Sequence, residues 1–273
     1  MRTVRYELLR PQELVAERQR CPVAYLPLGP LEWHSLHMPL GTDALNAGAV
    51  AREVAERVGG VVLPTLFWGT ERERPAEMLE DLGFARDDYV VGMDFPANLI
   101  KSLYCREEVF ALLVREMLRL LVDQDYQLIV IVNGHGAANH LETLERLCKE
   151  LTARSPATVL LTIAFPTGGH FEFGIGHADA LETSLMMALY PESVDMGELP
   201  PLPSPLISRD WGIVDSDTFR GNPTPDHTLR STADPRLQAS PELGRQAFED
   251  SIDEIAGTVC AALSDLGHNE TRP

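Results

Sequence analysis

Four side chains able to bind a metal ion fall within twelve residues of one another in Leu28-Gly29-Pro30-Leu31-Glu32-Trp33-His34-Ser35-Leu36-His37-Met38-Pro39-Leu40-Gly41-Thr42-Asp43. Carboxylate oxygen and imidazole nitrogen suit zinc, manganese and similar divalent ions. Packing gives no reason to place Glu32, His34, His37 and Asp43 together on a loop broken by Gly and Pro. In an extended segment residues i and i+2 share a side, so Glu32 and His34 can face one ion. Asp43 can reach the same place after the Gly41-Thr42 turn, and a carboxylate can bridge two ions about 3.5–4 Å apart. The alternative for Asp43, weighted below the metal reading, is the cap of a following helix. His135, between Gly134 and Gly136, is a further ligand candidate, since flanking glycines let the backbone turn sharply and approach an ion closely. In His177-Ala178-Asp179-Ala180-Leu181-Glu182-Thr183-Ser184, an acid–base histidine beside a metal-ligating glutamate is one reading. Capping by Asp179 or Thr183 with a solvated Glu182 is the other.

Positioning these groups falls to short apolar runs. Residues 23–28 read as a buried strand, with the ligand-rich loop leaving its carboxyl end. Residues 45–58 have helical periodicity and stop at Gly59-Gly60. Residues 61–64 read as a second strand, and 107–122 as an amphipathic helix. The continuous apolar run 127–132 reads as a strand buried on both faces, as in parallel sheets covered by helices. A helix over 140–153, a strand over 158–165, and helices over 182–189 and 241–266 complete the pattern. Strand, loop and helix recur, which predicts an α/β fold: a three-layer α/β/α sandwich with a mostly parallel sheet. Ligands of such folds bind beyond the carboxyl ends of the strands, which is where the 32–43 and 133–136 loops lie. The whole chain reads as one domain, with irregular insertions at about 70–103 and 200–235 over that edge.

Composition narrows the function. The 273 residues carry 41 acidic and 23 basic side chains, a formal charge of −18. That field repels phosphate backbones and argues against nucleic-acid binding. No apolar run is long enough for a membrane span, and the first residues lack the apolar centre of a secretory signal. Cys21, Cys105, Cys148 and Cys260 are scattered and form no metal or disulfide framework, so a cytoplasmic location is expected. Arg72 and Arg74 are candidates to grip a polar substrate, or part of a solvated charge run. His170, preceded by Gly168-Gly169, is a further substrate candidate. The loop at Asn133-Gly134-His135-Gly136 lacks the Lys-Ser/Thr of a phosphate-binding loop.

Three ordered motifs resemble the creatininase (creatinine amidohydrolase) family: Glu32-x-His34-x-x-His37-x-Pro39-x-Gly41-Thr42-Asp43, Asn133-Gly134-His135-Gly136, and His177-Ala178-x-x-x-Glu182-Thr183-Ser184. The resemblance implies a two-metal hydrolase, with zinc or manganese and iron as a third option, on an α/β/α sandwich assembled as a homo-oligomer, often a hexamer. It implies Glu32, His34, Asp43, His135 and Glu182 as metal ligands, with Asp43 bridging and His177 moving protons, and it makes His37 a substrate candidate. Departures from the pattern bear on the substrate. Ala137 stands where creatininase has a metal-binding glutamate, Asn139 comes one residue late, and Asp179 stands where glycine is usual. The tryptophans that enclose creatinine have no counterpart, although Phe171 and Phe173 lie near that region, and residues 71–89 look inserted. These features argue against creatinine, and the charged run Glu71-Arg72-Glu73-Arg74 favours a polyhydroxylated or anionic ring, as in the branch that opens 3-dehydro-scyllo-inosose in inositol catabolism. A cyclic amidohydrolase, a formamide deformylase or peptidase, and a non-catalytic metal-binding scaffold are the competing readings.

Overall fold

The computed structural model describes residues 3–92, 94–96, 98–167, 176–204, 206–209, 213–215 and 233–269. Its centre is a parallel sheet of four strands in the order β2-β1-β3-β4: β1 is Val23–Leu28, β2 Val61–Val62, β3 Leu128–Asn133 and β4 Thr158–Ile163. Every residue of β1 and β3 is buried, as a sheet covered on both faces requires. Alternate side chains point to opposite faces. Ala24, Leu26, Leu28, Ile129 and Ile131 pack under α4 (Glu107–Val122) and α5 (Ala138–Arg154). Val23, Tyr25, Leu128, Val130 and Val132 pack under α2 (Thr42–Val58) and the long C-terminal helix α8 (Pro241–Asn269). The result is the expected three-layer α/β/α arrangement.

Several boundaries differ from the periodicity. The second strand spans only Val61–Val62, although the Leu63 and Leu66 N–H groups still donate to the Tyr25 and Pro27 carbonyls of β1. The fourth strand ends at Ile163. The helix expected from residue 45 starts at Thr42. A further helix, α1 (Pro11–Arg20), is too polar to show an apolar stripe. Pro at its start and Glu13, whose carboxylate accepts the Arg10 N–H at 2.8 Å, define its beginning instead.

The 70–103 segment contains α3 (Ala76–Leu82) and bridges Glu73↔Val91 and Leu31↔Leu103, which tie it to the ligand loop. In the 200–235 segment an antiparallel pair, β5 (Ile207–Arg209) with β6 (Ile213–Asp215), is described. The last two helices before α8 are α6 (Ala180–Leu189) and the short α7 (Pro235–Gln238). Among the described residues no helix is long and apolar enough to cross a membrane.

What positions the site is the pairing of β1 with β3. Leu28 and Asn133, the last residues of the two strands, are register partners. The 29–43 loop and the 134–137 loop therefore leave the sheet side by side.

Candidate metal centre

Beyond those strand ends lie two triads that share one residue. Glu32, Asp43 and His135 form one, and His34, Asp43 and Glu182 the other; in each, candidate ligand atoms lie within 4.8 Å of one another. Asp43 turns a different oxygen to each. Oδ1 is 3.1 Å from His34 Nε2 and Oδ2 is 3.1 Å from His135 Nδ1. Glu32 Oε2 stands 3.0 Å from the same His135 nitrogen. Glu182 Oε2 stands 3.7 Å from His34 Nε2.

Local structure explains how the chain brings these groups together. The cap of α2 is Gly41, not Asp43, so the Asp43 carboxylate is free of the capping role and faces the histidines. Its backbone is wedged between both loops. A Cβ on Gly29 would sit 2.6 Å from Asp43 Cβ, and one on Gly134 would sit 2.1 Å from the Asp43 carbonyl oxygen. Only glycine allows that approach. On the third side, Asp179 caps α6 by accepting from the N–H groups of Leu181 and Glu182 at 2.9 and 3.1 Å. Glu182 is not solvated: it accepts the Ala178 N–H at 2.5 Å while facing His34. Capping and ligand geometry thus coexist here. Ala178, next to His177, has φ +56°, a conformation costly for an L-residue and commonest where function demands it.

The tautomers follow from the neighbours. His34 Nδ1–H donates to the Glu32 carbonyl at 3.0 Å, which turns Nε2 toward two carboxylates. His177 Nε2–H donates to the Trp33 carbonyl at 2.5 Å, which leaves Nδ1 as an acceptor, 3.9 Å from Glu32 Oε1. Glu32, Asp43 and Glu182 are each at least 95% buried. Among the described residues their ion pairs are with histidines only.

Three buried carboxylates without a lysine or arginine need positive charge from elsewhere. Burial opposes charge on His34, but Asp43 and Glu182 push its pKa up to about 10. Burial likewise opposes charge on His135, and Glu32 and Asp43 push it well above the ordinary value. Burial raises Glu182 to about 8. The cluster draws cations in, and its O/N donor set is that of zinc and manganese sites. His135 Nε2 is buried without a hydrogen-bond partner among the described residues. The residues present therefore fit divalent ions.

His177 is set apart from the ligands by its charge state: burial, and then the charge on His34, lower it to about 4. His37 lies beside the cluster rather than in it, with Nε2–H donating to Thr183 Oγ1 at 2.8 Å. Arg74 Nε donates to the Gly92 carbonyl at 2.5 Å, a contact within the 70–103 segment. His170 lies outside the described residues. Arg72 lines a cleft of about 600 Å³ beside the Glu32–His135 side, together with Glu71, Glu107, Tyr104 and Asn139.

Residue patterns missed Tyr104, His140 and Asn139. Tyr104 donates its hydroxyl to Glu32 Oε1 at 2.5 Å. Asn133 accepts the His135 N–H at 3.1 Å, and His140 Nε2–H donates to the same Asn133 oxygen at 3.0 Å. Asn139 is 8% exposed with its Oδ1 unpartnered among the described residues. The asparagine displaced by one residue in the second motif was the only advance signal for it.

Comparison with known proteins agrees with this geometry. Residues 7–259 match the family model for creatininase, described as creatinine amidohydrolase. The creatinine amidohydrolase of Pseudomonas putida is 27% identical over 256 residues, covering 87% of this chain and 88% of that protein. A crystal structure of creatinine amidohydrolase superposes with a TM-score of 0.66 at 25% identity, covering 95% of this chain and 97% of the other. A manganese form of creatininase gives 0.65 at 24% identity over 94% and 98%. With the motif residues gathered at one end of the sheet and the family model spanning nearly the whole length, the chain belongs to the creatininase family of metal-dependent amidohydrolases.

Proposed function

We propose that the chain is a two-metal hydrolase that opens a small polar ring at a carbonyl. The observation that carries the reading is Asp43, whose two oxygens serve two different sets of ligands. Glu32 and His135 would hold one ion, His34 and Glu182 the other, and Asp43 both. Manganese and zinc, the metals of solved creatininases, are the expected occupants. Such ions supply Lewis acidity and a hydroxide nucleophile near neutral pH. Ala137, at the amino end of α5, offers no further ligand.

The chain's own groups do the rest. His177 is neutral at pH 7, and the Trp33 carbonyl fixes its tautomer. Its Nδ1 therefore accepts a proton from the attacking water and returns it to the leaving group. The adjoining cleft is of a size for small molecules. Its lining includes four carboxylates (Glu71, Glu73, Glu107, Glu108) and two guanidiniums (Arg72, Arg106). An excess of acceptors disfavours an anion. It supports a neutral ring rich in hydroxyls, which both donate and accept, and a keto-inositol such as 3-dehydro-scyllo-inosose fits that description. The second reading is a cyclic amide of the creatinine type, favoured by the substrate named for the relatives.

The test is metal content by plasma mass spectrometry in wild type and Asp43→Ala, followed by a panel of creatinine, other lactams, formamides and keto-inositols. Two equivalents of metal, lost on substitution, with turnover of a ring substrate, are expected. Wild type that holds no divalent ion even after addition would sink the proposal.

A further inference from the structure

Glu32 belongs to more than one set of ligand atoms. Besides its triad with Asp43 and His135, it forms a second group with His34 and His177. The two oxygens divide between them: Oε2 faces His135 at 3.0 Å, and Oε1 faces His177 at 3.9 Å. Nothing in the carboxylate itself decides which oxygen an ion takes, or whether it takes both. The Tyr104 hydroxyl distinguishes the two oxygens, because it donates to Oε1 at 2.5 Å.

The phenol is held in place from three directions. On one side of it the Leu103 N–H donates to the Leu31 carbonyl at 2.7 Å, and on the other the Cys105 N–H donates to the Gly69 carbonyl at 2.9 Å. The third contact is Gly92, whose φ is +71°. A Cβ there would lie 2.3 Å from Tyr104 Cε2 and 2.5 Å from Cζ. The backbone of the 70–103 segment therefore lies against the hydroxyl end of the ring, and only glycine permits it.

We propose that Tyr104 is a positioning residue of the metal centre: it occupies Glu32 Oε1, so that Glu32 offers only Oε2 to the ion beside His135 and leaves His177 free of metal. This rests on the two-metal reading above. Partners that orient a ligating carboxylate change metal affinity or activity by about 10- to 100-fold when removed. The role explains why a segment with no family motif is tied to the ligand loop.

The experiment uses the full-length chain loaded with zinc, with affinities read by competition against a chelating dye and the visible absorption read after cobalt substitution. Tyr104→Phe should weaken one of the two ions about 10- to 100-fold, leave the other unchanged, and alter the cobalt band. Gly92→Ala, which touches no ligand, should alter the same band by pushing the ring. Tyr89→Phe, in the same cleft, should leave it as in wild type. Wild-type affinities and band in Tyr104→Phe would overturn the proposal; if that variant does not fold, an unaltered band in Gly92→Ala would do so. Wild type that takes up no ion at all would instead refute the metal reading on which the role of Tyr104 depends.

Discussion

Two glycines in one loop provide a matched test of how the site is built. A Cβ on Gly134 would lie 2.1, 2.6 and 2.9 Å from the carbonyl oxygen, carbonyl carbon and Cα of Asp43, whereas one on Gly136 would meet nothing within 4 Å. Neither position has positive φ, so alanine is strained at neither by its own backbone. At Gly134 the shortest contact must open by about 1.3 Å to reach the 3.4 Å of ordinary contact. The obstacle is backbone and cannot rotate away. It is also the first turn of α2, a 17-residue helix packed on the sheet and on α8. Either Asp43 or the loop carrying His135 must move, and the 3.1 Å approach of Asp43 to His135 is lost in both cases. Metal sites tolerate errors of about 0.2 Å. Gly134→Ala should therefore lose metal and, from overpacking at roughly 1–3 kcal/mol, lower the Tm by about 2–10 °C. Gly136→Ala should match wild type on both measures. Calorimetry with metal analysis of the two purified variants decides it. Gly134→Ala with a full complement of metal and an unchanged Tm would refute the argument that these glycines exist to seat Asp43.

Other outcomes can be checked alongside. His177→Asn should keep its metal yet lose about 10²–10⁴ in kcat, measured by turnover and metal content on one preparation. His37 is lowered to about 3 by burial and by the charge on His34. The unfolded chain therefore takes up this proton near pH 6.5 while the folded chain does not, and stability falls as pH drops below 6.5. Between pH 6.5 and 5.0 this one group should remove about 1–2 kcal/mol, and urea midpoints of His37→Gln should lack that part of the slope. Asp179→Ala should cost about 1 kcal/mol through loss of the α6 cap, and further metal affinity because Glu182 sits in the first turn of that helix; thermal melts with and without zinc separate the two effects.

The sheet and the motif residues were legible because their signals are local. The run 127–132 announces a doubly covered strand, and Glu32, His34, Asp43, His135 and Glu182 announce themselves by type and by position at strand or helix ends. The structure brings those five together, with His177 beside them. Tyr104 was not legible: it meets Glu32 across 72 positions of sequence from a segment with no periodicity. The helix Pro11–Arg20 escaped because its stability depends on terminal hydrogen bonds rather than an apolar stripe. Arg74 was legible only as a substrate candidate within a charge run, and its bond to the Gly92 carbonyl was not. Whether Asp43 capped α2 could not be decided from type alone, since Asp suits both roles.

The register pairing of Leu28 with Asn133 gives metal uptake a second meaning. A slip of one residue between β1 and β3 would carry the His135 loop about 3.3 Å along the strand and turn its side chains to the opposite face. No rotamer change recovers a ligand set from that displacement. A chain that folds with its central strands misaligned therefore cannot capture the ions, while a correctly aligned one can. Binding the metals would select natively paired molecules from the folding population, so that the loaded fraction of a preparation counts its correctly assembled chains.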